Sequence, residues 1–255
     1  MKKIVLGIVC FVISYSDLCA QKKMETDRPD QTETPFTVAP KYFQAELGVN
    51  KQNFKDHNYI LTYPTALLKY GINKRAEVGV EFNFITSHHQ LIPNPVDTTG
   101  LEPISVGTKV SLLKEKGIIP QTAFIAFVGL PFAGSKKFKT PHLIPSFRFS
   151  MQHSLTNKIS FGYNVGAEWD GESTIPEWLY TLVTGFEIGE KWQTFIEAYG
   201  FIAKNELPQH NVDGGIAYYI NDDFKLDASA GFGLTHNALK NFLSLGASFR
   251  LPTKK

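Results

Sequence analysis

The stretch Ile159-Ser160-Phe161-Gly162-Tyr163-Asn164-Val165-Gly166-Ala167-Glu168-Trp169-Asp170 alternates without a break. Its odd positions are apolar or aromatic, and its even positions are Ser, Gly, Asn, Glu or Asp. A period of two places the sets on opposite faces of a strand, whereas a helix would mix Asn164 and Glu168 into its apolar stripe. The pattern recurs along the chain. Ala76, Val78, Val80, Phe82 and Phe84 alternate with Glu77, Gly79, Glu81 and Asn83, and Phe224, Leu226, Ala228, Ala230 and Phe232 with Lys225, Asp227, Ser229 and Gly231.

Read this way, the sequence predicts strands near 41–50, 59–70, 75–86, 103–113, 118–130, 141–152, 159–170, 178–188, 192–202, 211–220, 224–234 and 241–251. Two of them, 118–130 and 192–202, alternate less cleanly. Tight connections rich in Gly, Asn, Asp and Lys, as at Gly71 to Lys74 and Asn221 to Asp223, take turns with longer ones, above all Ser87 to Glu102 and Pro131 to Thr140. Short and long connections in alternation are the signature of an all-β, closed antiparallel up-and-down transmembrane barrel, here of about twelve strands with both ends on the periplasmic side.

Period two alone also suits a soluble sandwich. Three features favour a membrane barrel. The strands run to about ten to twelve residues, the length of a tilted bilayer crossing. The polar face is rich in Gly, Ser and Asn, as a crowded lumen requires. Outward-phased Phe43, Trp169, Trp178, Tyr180, Phe224 and Phe249 fall at strand ends, where interfacial girdles form.

Residues 1–20 read as an export signal: Lys2 and Lys3, an apolar core from Ile4 to Ile13, then a polar approach to Ala20. That core is too short for a membrane-spanning helix. Both cysteines, Cys10 and Cys19, fall inside residues 1–20, so residues 21–255 offer no disulfide or thiolate chemistry. Of 26 basic residues two lie in the leader, and of 24 acidic residues one does, leaving 24 against 23. That balance gives no nucleic-acid footprint. The expected organisation is a leader over 1–20, a polar periplasmic segment over 21–40 and a barrel over 41–255.

Several segments resemble one family of Gram-negative outer-membrane proteins, described as "putative MetA-pathway of phenol degradation" and often called transporters. They are Glu25-Thr26-Asp27-Arg28-Pro29-Asp30-Gln31-Thr32-Glu33-Thr34-Pro35-Phe36, Leu130-Pro131-Phe132 with Gly134-Ser135, Gly162 to Gly171, Glu197-Ala198-Tyr199-Gly200-Phe201 and Asp213-Gly214-Gly215. The resemblance implies an outer-membrane barrel for passive passage of small solutes, aromatic or hydrophobic ones included.

By parity the lumen receives Glu46, Glu77, Glu81, Glu168, Glu187, Glu197, Asp213 and Asp227, opposed by Lys109, Arg148, Lys225 and Arg250. Such charges either line a pore or brace its wall. The segment before the first strand concentrates charge at Glu25, Asp27, Arg28, Asp30 and Glu33. Asp27, Arg28, Pro29, Asp30 and Gln31 are candidates for a gate at the periplasmic mouth, paired with Lys109, Arg148, Lys225 or Arg250; a disordered leader is the alternative.

A lipid-hydrolysing barrel would need a serine and a histidine at i and i+2 or in register. Ser87 with His89 is the only such spacing, at the start of a loop. A structural or adhesive barrel is a third reading. No cofactor or metal is called for, and His88 with His89 reads as a solvated pair. The expected partners are outer-membrane lipid and lipopolysaccharide, the barrel assembly machinery and a small solute.

Overall fold

The structure, a computed structural model, describes residues 23–91 and 93–253, so the predicted leader lies outside the described residues. Thirteen strands are present among them: β1 (Tyr42–Asn53), β2 (Tyr59–Asn73), β3 (Ala76–His89), β4 (Val96–Leu101), β5 (Ser105–Leu113), β6 (Gln121–Gly129) and β7 (Ile144–Ser154). They continue with β8 (Ile159–Glu168), β9 (Glu177–Ile188), β10 (Trp192–Ile202), β11 (Gln209–Asn221), β12 (Phe224–Gly233) and β13 (Asn241–Pro252).

Neighbours in sequence pair antiparallel, and β1 closes on β13 over its whole length, from Tyr42 opposite Pro252 to Asn53 opposite Asn241. Twelve strands form the closed wall and β4 is an addition to it. Closure leaves the barrel no free edge, which a bilayer demands because lipid satisfies no backbone N–H or C=O. The tight turns and both ends of the described chain, at 23 and 253, share one rim, here called the inner rim; the longer loops share the other.

The stretch Ser87 to Glu102, expected as a loop, is corrected by the structure. β3 runs on to His89, and β4 folds back so that Phe84 to His89 pair with Val96 to Leu101. The physical cause is an edge: β5 pairs only with Ala76 to Glu81, leaving the outer half of β3 bare until β4 covers it.

The burial pattern inverts that of a soluble protein. On β8, Val165 is 48% exposed while its neighbour Asn164 is fully buried. Outward Leu182, Ile196, Ile216, Leu243 and Leu245 are exposed in the same way, and inward Glu46, Lys69, Glu197 and Lys225 are buried. Apolar residues outside and charges inside suit a wall whose outer solvent is hydrocarbon. The weaker alternation in β6 has a structural reason. Its inward face carries Ile125, which is buried opposite Lys109 and Arg148, and Phe127, which covers Gly79 and Gly107.

The expected girdle residues sit at the barrel's two ends. Phe43 and Phe249 pack 6.5 Å apart near the inner rim, and Phe224 lies opposite Phe249. At the outer rim Trp169 and Trp178 flank Phe147. Trp192, packed at a tilt against Tyr218 with ring centres 4.6 Å apart, adds an inner-rim pair that strand-end parity alone left out.

Candidate functional site: a loop held inside the barrel

The segment before β1 enters the lumen at the inner rim, turns, and returns to the same rim. Its first limb is tied by the Met24 N–H to the Asp222 carbonyl (2.9 Å) and by the Tyr219 hydroxyl, which donates to the Met24 carbonyl (3.0 Å). Its second limb is tied by the Val38 N–H to Glu77 (2.5 Å). Between them the Thr34 N–H donates to Asp27 Oδ1 (3.0 Å), closing residues 27–34 into a compact tip. Proline at 29 and 35 keeps this stretch out of the strand ladder, since it lacks the N–H a ladder needs.

One side of the tip is gripped by ions. Lys69 and Lys109 donate to the two oxygens of Asp27 at 2.7 and 2.6 Å, and Lys69 also contacts Glu46. Glu46 Oε2 accepts the N–H groups of Asp27 (2.9 Å) and Arg28 (3.1 Å). Arg28 Nη2 donates to Asp227 (3.0 Å) and to Ser244 (2.9 Å), while Lys225 donates to the Arg28 carbonyl (2.7 Å). The guanidinium lies on Gly48 and Gly246, which face each other across β1 and β13. A Cβ at either would fall 2.4 to 2.5 Å from it, so only glycine leaves room.

The other side is gripped through the backbone. Glu197 Oε2 accepts the Gln31 N–H (2.7 Å), and the Thr32 hydroxyl donates to Glu197 Oε1 (2.5 Å) while standing 2.6 Å from the Thr181 hydroxyl. Asn164 takes both polar groups of Glu33, its Oδ1 accepting the N–H (2.7 Å) and its Nδ2 donating to the carbonyl (3.1 Å). Ser150 donates to that same carbonyl, and Arg148 to the Gln31 carbonyl (3.1 Å).

The loop's carboxyls respond to this setting. Burial alone would raise Asp27, but Lys109 and Lys69 overcome it and hold the carboxylate well below the usual range. Burial pushes Glu25 up to about 7 against the pull of Lys225. Asp30 is raised well above its ordinary value by burial, with Glu197 adding to the effect, and burial also raises Glu33.

All twelve wall residues singled out by parity, Glu46, Glu77, Glu81, Lys109, Arg148, Glu168, Glu187, Glu197, Asp213, Lys225, Asp227 and Arg250, belong to the inward-phased set of their strands. They are not one cluster. Glu46, Glu77, Lys109, Arg148, Glu197, Lys225 and Asp227 meet the loop, whereas Arg250 turns to Asp223 (2.6 Å) at the inner rim and Glu168 reaches only Arg148 (3.6 Å) near the outer one. Of the expected charge pairings, Lys109 meets Asp27 (2.6 Å) and Arg148 meets Glu33 (3.5 Å), whereas Lys225 meets only the Arg28 carbonyl and Arg250 pairs with Asp223 instead. Lys69 was missed, because Tyr63 and Pro64 shift the register of β2 between Thr62 and Thr65 and blur its parity. A lysine between Leu68 and Tyr70, two residues before Gly71, was the available signal. Parity turned Asn164 inward, but nothing in the sequence marked Asn164, Ser150 or Thr181 as binding the loop.

Ser87 Oγ and His89 Nε2 lie 3.0 Å apart at the exposed end of β3. Asp97, the carboxylate across the ladder, pairs instead with His88 (2.6 Å) on the opposite face.

Three cavities follow one another along the lumen. The inner one, about 400 Å³, and a middle one of about 250 Å³ both touch Arg28, Pro29 and Asp30, so the tip is the partition between them. The middle cavity shares Glu81 and Asn83 with an outer one of about 430 Å³ that reaches Lys137, Lys139 and Glu172 in the long loops.

The model of the family described as "Putative MetA-pathway of phenol degradation" matches residues 26–251. No curated protein sequence matches the chain. Among solved structures, the COG4313 outer membrane channel from Pseudomonas putida F1 is similar at 10% identity and a TM-score of 0.66, covering 85% of this chain and 97% of that one. The NanC porin is similar at 9% identity and a TM-score of 0.55, covering 82% and 100%. The transport unit of the autotransporter AIDA-I from Escherichia coli reaches 0.51 at 10% identity, covering 84% and 90%. At these identities the likeness is one of fold, an outer-membrane β-barrel.

Proposed function

The chain belongs to the "Putative MetA-pathway of phenol degradation" family, and from that premise and its stoppered lumen we propose that it is an outer-membrane channel for passive passage of small solutes, gated by its own N-terminal loop. The observation that carries this reading is that Arg28, Pro29 and Asp30 line both the inner and the middle cavity and so stand between them. A barrel of twelve strands lies between small barrels filled by their own side chains and wide porins, so one short loop suffices to close it. Because the loop enters and leaves by the inner rim, it can withdraw toward the periplasm without unthreading the wall. Its polar contacts are replaceable by water, which lowers the cost of withdrawal. Export by the leader, folding by the barrel assembly machinery and residence among lipopolysaccharide complete this reading.

The test is deletion of residues 22–40 behind an intact cleavage site, followed by single-channel recording in planar bilayers. The channel reading predicts higher and steadier conductance from a barrel whose migration on a gel still changes on boiling. Unchanged conductance from such a barrel would remove the gate.

A further inference from the structure

Glu197 stands directly opposite Asp213 on β10 and β11, and both point inward, which brings their carboxyl groups within hydrogen-bond reach of each other. Glu46, Glu77 and Asp227 each meet a lysine or an arginine, but among the described residues neither Glu197 nor Asp213 does. Both are buried. Glu197 gives one oxygen to Gln31 and the other to Thr32, whereas neither oxygen of Asp213 has a partner or any appreciable surface open to solvent. The fit around Asp213 is tight. Gly231 lies opposite it on β12, and a Cβ there would fall 2.5 Å from the Cβ of Asp213 and 2.6 Å from the Phe242 ring.

The groups packed around the pair supply no counter-charge. Tyr199 follows Glu197 on the inward face of β10 and Asn211 lies beside Asp213 on that of β11. β9 presents Thr181 and Val183, and β12 and β13 present Gly231 and Phe242. The loop adds Asp30, a third carboxyl, close enough for Glu197 to act on it, while Lys225, which draws on Asp30 from β12, donates to the Arg28 carbonyl. A buried carboxylate without a cation is costly, and a second one beside it more so. The stable arrangement is one carboxyl that keeps its proton and donates it to the other. Water cannot stand in for that proton, because the oxygens of Asp213 offer it no surface. The proton belongs on Asp213, since Glu197 already accepts on both oxygens and, once ionised, has lone pairs left for a third donor.

We infer that Asp213 and Glu197 form a proton-sharing pair that locks the loop, Asp213 donating its proton to an ionised Glu197 that in turn holds Gln31 and Thr32. Loss of the proton to water leaves two unpaired charges beneath the tip, facing Asp30, and withdrawal of the loop relieves them by letting water in. The docked state thus holds one proton more than the released one, so rising pH favours release. The inference rests on the gate reading for this consequence but not for the proton itself.

The test is infrared spectroscopy of the full mature chain in detergent at about pH 7, where ordinary carboxyls have lost their protons. A band from protonated carboxyl should be present, and Asp213→Asn should remove a part of it that Glu25→Gln leaves. Deletion of residues 22–40 should remove the same part. Asp213→Ser, whose hydroxyl can also donate to Glu197, takes the place of the amide variant if that one does not assemble. Between about pH 7 and 9, above the range of Glu25, open probability should rise about tenfold in the parent and about twofold or less in Asp213→Asn, whose amide donates at any pH. A band unchanged in Asp213→Asn, a band that survives the deletion intact, or an equal rise in both proteins would overturn the assignment. A barrel that shows the proton but never conducts defeats the gate reading alone. A barrel gated by its loop without the band defeats this inference alone.

Discussion

The two sides of the loop tip are held by different physics. Toward β2, β5 and β12 the grip is ionic: Asp27 with Lys69 and Lys109, Arg28 with Asp227. Toward β7, β8 and β10 it is chiefly a set of hydrogen bonds aimed at the backbone of Gln31 and Glu33, with one looser ion pair, Arg148 to Glu33 at 3.5 Å. Ions attract over a distance and tolerate misalignment, so the first grip draws the loop to one wall. Hydrogen bonds to a backbone require one conformation, so the second fixes the shape of the tip. The ionic side also has spare partners: Lys69 keeps Glu46 and Lys109 keeps Glu77 when Asp27 leaves. Those spares let the loop depart without stranding two buried lysines, which is what a gate needs.

Breaking the ionic side should have the largest effect. Asp27→Ala removes a carboxylate that two buried lysines share. Loss of such a partner costs about 3 kcal/mol, the low end of the usual range because each lysine retains a second acid. The docking equilibrium should shift roughly a hundredfold toward the open channel, read as open probability in planar bilayers and as protease cleavage of the loop. A variant as closed as the parent would place the grip elsewhere.

The next effect is that of pH. Glu25 is raised from 4.5 to about 7 in the docked loop, so the docked state holds more protons than the released one. Docking is therefore strongest below 4.5 and is lost as pH rises through about 7; Asp30 and Glu33 are shifted in the same direction. Open probability should rise about tenfold across that window, after allowance for water in the inner cavity. Glu25→Gln should flatten the rise. Asp27, shifted the other way, releases the loop only in strong acid.

The smallest effect should come from the hydrogen-bonded side. Thr32→Val keeps the shape of the side chain but gives up the bond to Glu197, which still accepts from Gln31. The expected loss is about 1 kcal/mol, roughly fivefold in open probability. A loss as large as that of Asp27→Ala would reverse the order of the two grips.

Much of the wall was legible in the sequence because a strand carries its environment in its period. Each predicted barrel strand is found within a few residues of its expected bounds, from Ile159–Glu168 to Trp192–Ile202. The extra strand β4 was not legible, since its cause is the short reach of β5 along β3 rather than anything in Val96 to Leu101 itself. Within the loop, the charges at Asp27 and Arg28 left a gate and a disordered leader equally open, and nothing in Thr32 or Thr34 singled them out.

By itself the sequence determined the alternation, and with it the inward set of charges and the outward set of apolar residues, because side-chain direction along a strand is a local property. Only the tertiary structure decided which of those charges meet. The contacts that hold the loop join residues as far apart as Arg28 and Ser244, 216 positions along the chain. Such pairings depend on which strands face each other across the closed barrel and on the depth to which the loop enters it. Closure is a property of the whole wall, and no segment of the chain contains it.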